Sequence, residues 1–312
     1  MVTFAAVAVF LVSYVLHGFG VTIGYHRLLS HRSFRCNKLV EYFWVFWGYL
    51  AFEGSPIWWA AIHRAHHKYV DTPLDPHSPR YGLFHSWFGW LLEPAYPAHV
   101  IPEESCKDLM QDKLYLFLDQ DKNIPRMNLL NLGCNLAFRG ILWALFGWQV
   151  ALASLLAAVM VMQIPLMLNL FCHLPKLGYK NFATEDDGVN VWWVGLLGLG
   201  EGWHNNHHAY PGSARNGMMA WEFDASYLTI LFMRKMGWVH WLNPGPDLSR
   251  GLEYYNKKIA AAAAKAASQA VSSVSIVATE SEASPSSLIN SASRVPNSAP
   301  VMAVKANTTP VR

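Results

Sequence analysis

Long apolar runs punctuate this chain of 312 residues and give its first outline. Residues 2–24, VTFAAVAVFLVSYVLHGFGVTIG, hold no Asp, Glu, Lys or Arg. A helix needs roughly 20 apolar residues to cross a bilayer core, so this run is long enough to span. No basic segment precedes it, and it exceeds the apolar part of a cleaved leader, which favours a retained span. Residues 127–173 carry one charge, Arg139. As a single helix they would be roughly twice as long as the bilayer core is thick. Two spans are therefore predicted, 127–147 and 149–173, turning near FGWQ at 146–149. Arg139, in the first of the pair, either snorkels or marks a helix that starts in water. Pro165 is expected to kink the second. Two shorter runs, 42–52 and 191–200, are bounded by Glu41 with Glu53 and by Asn190 with Glu201. Each is too short to span and is expected at the interface or against the core.

Charge gives the spans a direction. Arg27, Arg32, Arg35 and Lys38 follow the first run, which predicts that its C-terminal end is cytoplasmic. The hairpin leaves and returns to that side, where Lys176 and Lys180 follow it, and its tip holds no Lys or Arg. The predicted fold is an all-α integral membrane protein: three long transmembrane helices under a cytoplasmic helical cap. The membrane domain is expected over 1–257. From 258 the chain turns Ala- and Ser-rich without aromatic residues, so 258–312 reads as a disordered tail with at most a short Ala-rich helix.

Composition sharpens this outline. Hydrophobic residues make up 53% and charged residues 14%, where a soluble domain carries about 25% charged. A net charge of +3 with no basic block gives no footing for nucleic acid. Cys36, Cys106, Cys134 and Cys172 show no paired spacing and read as free thiols. The unusual count is 14 histidines. Eight fall in three motifs: HRLLSH (His26, His31), HRAHH (His63, His66, His67) and HNNHH (His204, His207, His208). Neutral imidazole is the commonest side-chain metal ligand near neutral pH. On a helix, positions i, i+3 and i+4 lie within about 100° of one another, so each HxxHH presents one ligand face. His26 and His31, five apart, would diverge by roughly 140° on an ideal α-helix, which predicts that they reach different ions. About six ligands is the ceiling for one transition metal, so eight histidines imply at least two ions, with iron, copper, nickel and zinc all open.

The stretches GYHRLLSHRSF, HRAHHKYVDTPLDPHS and GEGWHNNHHAYPGSARNG resemble, in order, spacing and flanks, the three histidine boxes of the membrane fatty-acid desaturases. The likeness is to the delta-9-like branch of acyl-lipid and stearoyl-CoA enzymes and covers about residues 10–245. Front-end desaturases differ: their glutamine-initiated third box and fused cytochrome b5 do not occur here. The family's Asn-x-x-x-His element matches NLFCH, which makes His173 a ninth ligand and Asn169 a ligand through water. The resemblance implies a di-iron centre, one iron held by His26, His63, His204 and His207 with Asn169, the other by His31, His66, His67, His173 and His208. His77 and Asp75 are expected either to orient a ligand imidazole or to form a simple loop turn. His17, His85, His99 and His240 read as structural.

The implied reaction uses O2 and two electrons to place a cis double bond, expected at delta-9, in a saturated acyl chain. Trp59, four residues before His63, matches the family tryptophan at the bend of the acyl tunnel, against a plain reading as interfacial packing. Three departures matter. Acyl-CoA members carry Arg-Asp where this chain has Ala61 and Ile62, which favours an acyl-lipid or carrier-bound thioester substrate over acyl-CoA. The usual four-span family has another helix before the first box, so either three spans suffice here or the N-terminus is incomplete. Pro165 and Leu166 replace polar or aromatic tunnel residues, leaving the position of the double bond open. With no cytochrome b5 or nucleotide fingerprint, electrons are expected from a separate ferredoxin or cytochrome b5. The competing readings are a membrane di-iron lipid or hydrocarbon hydroxylase, and a metal carrier, whose ligands would sit within the spans.

Overall fold

The computed structural model describes residues 4–282. Three of its helices are long and apolar enough to cross a membrane: Phe4–Ser30, Ile124–Phe146 and Trp148–Phe171. They lie where the apolar runs predict, and Gly147, at φ 87°, makes the turn between the second and third. The first span continues past its expected end at residue 24, while residues 2 and 3 lie outside the described residues. Leu11, Val12, Val15, Leu136, Ile141, Leu152 and Leu156 are exposed on the spans, as suits side chains that meet lipid rather than water. The third span buries Ala153, Ser154, Ala157 and Ala158 and packs against the first. Small residues allow such close approach where lipid offers no hydrophobic drive.

The first span changes character midway. Helix α1 (Phe4–Phe19) passes into a π-helical segment, Gly20–Ser30, that carries the first histidine of its box. Helix α2 (Lys38–Tyr49) packs against this segment. A Cβ on Gly20 would lie 2.2 Å from the backbone nitrogen of Gly48, so only glycine permits the crossing.

Helix α2 starts on an Asn37 cap, whose side chain accepts from the Val40 N–H at 3.0 Å, and ends among buried residues at Leu50. Its last carbonyls have no partner within the helix. The second span supplies one. Asn131 donates to the Tyr49 carbonyl at 2.8 Å, Asn135 to the same oxygen at 3.2 Å, and Arg139 to the Leu50 carbonyl at 2.8 Å. Spaced i, i+4 and i+8, these three form one polar row along the span. Arg139 therefore neither snorkels nor sits in water: it is 6% exposed, with His17 Nε2 at 3.4 Å and the rings of Phe52 and Phe138 under its guanidinium. The negative end of the α2 dipole is a fitting neighbour for that cation.

Helix α3 (Pro56–Tyr69) carries the second box. Ser55 caps it, accepting from the N–H groups of Ile57 and Trp58, and Pro56 occupies its first turn, where no N–H is needed. Strand β1 (Phe34–Cys36) pairs antiparallel with β2 (Val239–Leu242), Phe34 opposite Leu242, which ties the chain after the first box to the chain after the third. The run at 191–200 forms a short helix, Trp192–Leu197. The third span continues as helix through Pro165. A last helix, Leu252–Glu282, runs through the Ala-rich stretch, and a boundary between two compact units falls after Ala261. Residues 283–312, where most of the disordered tail is expected, lie outside the described residues.

Candidate metal centre

All nine expected histidines meet, in two groups. His26, His31, His63, His67 and His207 form one; His66, His173, His204 and His208 form the other. Within each group the ligand nitrogens lie within 4.8 Å of one another. Each HxxHH triplet is shared out by helix geometry. On α3 the i, i+4 pair His63 and His67 serves the first group and His66 the second. On the short helix His204–Ala209, the pair His204 and His208 serves the second and His207 the first. His173 joins from just beyond the third span.

The grouping differs from the sets that the resemblance implies. His31 and His67 lie with His26, and His204 lies with His66. The divergence expected for His26 and His31 fails for a clear reason: their segment is not an α-helix. The His31 N–H bonds the His26 carbonyl at 3.1 Å, an i→i+5 link that returns the chain to nearly the same face after one turn. Their ring centroids are 4.8 Å apart.

Several ring nitrogens lie at contact distance from one another. His31 and His63 approach to 2.7 Å through Nε2, His63 and His67 to 3.1 Å, His67 and His207 to 2.9 Å, His26 and His207 to 3.1 Å, His173 and His204 to 3.0 Å. A neutral imidazole has one N–H and one acceptor nitrogen, so such a knot cannot be satisfied by hydrogen bonds alone. His66 Nε2 and His208 Nε2 are buried with no partner at all. A cation at each focus would satisfy these lone pairs, and the residues fit a pair of metal ions.

Carboxylates stand behind several of the rings. Asp75 accepts from His66 Nδ1 at 2.9 Å, Asp71 lies 3.5 Å from His173 Nδ1, Asp186 lies 3.6 Å from His208 Nδ1, and Glu201 lies 2.5 Å from His26 Nδ1. Asp75 and Glu201, within hydrogen-bond distance, hold the proton on Nδ1 and leave Nε2 for a metal, while Asp71 and Asp186 face their rings as nearby charges. Sequence reasoning reached Asp75 only. Glu201, three residues before His204, and Asp71, four after His67, were visible as acids beside the boxes, but nothing marked them as facing a ring. His77 stacks near His66, centroids 4.4 Å apart, and completes a small cluster with His66 and Asp75. The paired asparagines of HNNHH are clamps. Asn205 accepts from the N–H groups of Asn181 and Phe182, and Asn206 donates to the Asn216 carbonyl and to Glu222. Of the remaining histidines, His17 belongs to the Arg139 network, His85 meets the Pro76 carbonyl, His99 packs on Tyr69, and His240 is exposed on β2.

Burial, reinforced by neighbouring imidazoles, holds His31, His63, His67, His204 and His207 well below the ordinary histidine value. Burial brings His208 from 6.5 down to about 4, with Asp186 opposing it. The folded chain keeps these rings neutral, while the unfolded chain takes up protons below about pH 6.5, so stability falls as pH drops from there towards about 4. His208 alone accounts for roughly 2 kcal/mol between pH 6.5 and 5. Metal-free protein should therefore melt at a clearly lower temperature at pH 5 than at pH 7; an unchanged melting temperature would contradict this.

A cavity of about 300 Å³ opens beside the histidines. His26, His63, His66 and His204 form one end, and it runs between the spans to Asn128, Leu132 and Met162. Trp58, Trp59, Phe52, Ile164 and Leu166 give it an apolar wall, and Asn169 and Pro165 also line it. Trp59 stacks on His63 with centroids 4.9 Å apart and donates its Nε1–H to Glu53 at 2.9 Å. Burial pushes the Glu53 carboxyl up to about 8, so at neutral pH it is an uncharged acid in an apolar wall. Glu53 carried no signal in the sequence.

A family model described as "Fatty acid desaturase" matches residues 2–222. The chain is similar to the sn-1 stearoyl-lipid 9-desaturase of Anabaena variabilis, 38% identical over 75% of this chain and 83% of that one. It is 39% identical to the sn-1 stearoyl-lipid 9-desaturase of Synechocystis sp. over 73% of this chain and 68% of that one. It is 35% identical to Delta-9 acyl-lipid desaturase 1 of Arabidopsis thaliana over 75% and 74%.

Proposed function

This chain belongs to the fatty acid desaturase family and is a membrane oxidoreductase of fatty acyl chains; on that premise we propose that it inserts a cis double bond at the delta-9 position of a saturated, lipid-bound chain. The observation that carries this reading is the meeting of nine imidazoles in two groups, four of them lining an apolar cavity between the spans. Iron in the two clusters would supply, with O2, the oxidising power to take hydrogen from an unactivated methylene, which side-chain acids and bases lack. The balance is simple: the acyl chain gives up two hydrogens with their electrons, a separate donor gives two electrons, two protons are taken up, and O2 leaves as two waters.

The chain's own residues position the substrate. The apolar wall binds the acyl chain by excluding water. Trp59, held by Glu53 and stacked on His63, fixes the wall where the cavity meets the histidines. Such positioning selects which methylene is attacked. The delta-9, lipid-bound reading is supported by the relatives' names and by Ala61 and Ile62, which offer no charge to a coenzyme A head group. Asn169 lines the same cavity as His26, His63, His66 and His204, in keeping with a ligand through water. Arg32, Arg35 and Lys38 remain exposed after the first box, which supports a cytoplasmic histidine face. Ferredoxin or cytochrome b5 would dock on that face to deliver electrons.

The test is the fatty-acid profile of a desaturase-deficient host expressing the protein. The expected result is a new monoenoic acid whose double bond lies at carbon nine. An unchanged profile under adequate iron and reductant would overturn the reading, and a hydroxy acid in place of the alkene would assign the chain to hydroxylation.

A further inference from the structure

We infer that the two histidine clusters hold their ions with unequal affinity, and that the cluster containing His66, His173 and His208 is the tight one, because three carboxylates face it. The inference rests on the two-metal reading above and concerns how this chain tunes each site.

The asymmetry lies in what stands behind the rings. Asp75, Asp71 and Asp186 face the Nδ1 atoms of His66, His173 and His208 at 2.9, 3.5 and 3.6 Å. Each acid is itself fixed by backbone donors: Asp75 accepts from the N–H of Asp71, Asp71 from that of Asp187, and Asp186 from that of Gly188. The nearby cations do not cancel them. Arg80 and Lys180 are exposed, and they donate to the backbone carbonyls of Asp71 and Asp186 rather than to the carboxylates. Exposed charge is also screened by salt where buried charge is not.

The other cluster is built differently. Among the described residues, Glu201 is the one carboxylate within ion-pair distance of its rings, at His26. That carboxylate also accepts two hydrogen bonds from Arg27, whose buried guanidinium is shared with Asp224. Arg64 stands near as well, and it and Arg32 share the single carboxylate of Asp108. One site thus presents a cation with a fixed negative surround, the other with an almost balanced one. A carboxylate behind a ligating imidazole raises its basicity and fixes its orientation. Both effects favour the same cluster. His66, His173 and His208 also stay together in the ligand set that the resemblance implies, so the three carboxylates face one cluster wherever His31, His67 and His204 fall.

The test titrates the full chain, in detergent and stripped of metal, with Co2+, whose visible bands report imidazole ligation, and follows bound cobalt by elemental analysis. Two phases are expected, the first equivalent binding at least about tenfold tighter than the second. Asp71→Asn and Asp186→Asn should each weaken the tight phase by about 10–100-fold and leave the loose phase in place. Two equivalents of equal affinity, or variants that weaken the loose phase instead, would overturn the inference while leaving two sites standing. The wild-type titration alone distinguishes these results should a variant fold poorly. A wild-type chain that takes up no cobalt would overturn the two-metal reading, and this inference with it.

Discussion

Replacing His207 with alanine should remove the monoenoic product from the host's fatty acids. His207 is 1% exposed and touches both His26 and His67 through Nε2, so it is the hub of its cluster. Losing a partner behind a ligand typically costs 10–100-fold in metal affinity or activity, and losing the ligand itself should cost more than about 100-fold. The product should fall below detection and the metal content of the purified variant should drop. His240→Ala, at an exposed position of strand β2, is the matched control and should keep the product. A His207→Ala enzyme that still forms the alkene would place the chemistry elsewhere.

Arg27→Leu should be strongly destabilising. Arg27, 1% exposed, donates to Glu201 at 2.9 and 3.0 Å, to Asp224 at 3.1 Å and to the Ala214 carbonyl at 2.8 Å. It thereby locks the first box to the third. Asp224 in turn caps the helix Ala225–Lys235 and accepts from the N–H groups of Asn216 and Gly217. Removing the cation strands two buried carboxylates, which costs roughly 3–5 kcal/mol. The melting temperature in detergent should fall by on the order of 10 °C. Adding Asp224→Asn should recover part of that loss, because one stranded charge is then gone. No shift in the single variant, or a further fall in the double, would contradict the network's role.

The spans and the boxes were legible because each is a strong local pattern: a charge-free run in one case, a fixed histidine spacing in the other. Arg139 shows where that legibility stops. Its burial depends on where α2 ends, a point far from Arg139 in sequence whose Leu50 carbonyl the arginine meets. The row Asn131, Asn135 and Arg139 was present at helical spacing, yet its targets, carbonyls some eighty residues away, carry no side-chain signature. His26 and His31 show a second limit. A helical segment was implied by the apolar pattern, but its i→i+5 ladder was not, and the ladder decides which cluster each ring joins. The carboxylates were lost for a third reason. Asp71, Asp186 and Glu201 are ordinary acids in sequence and gain meaning only when the fold turns a ring towards them.

The most direct test of the central claim is the iron content of purified, active protein, measured together with its turnover of a saturated acyl lipid. Two irons per chain are predicted, with activity lost as either is removed. Full desaturation by protein holding one iron, or only zinc, would contradict it.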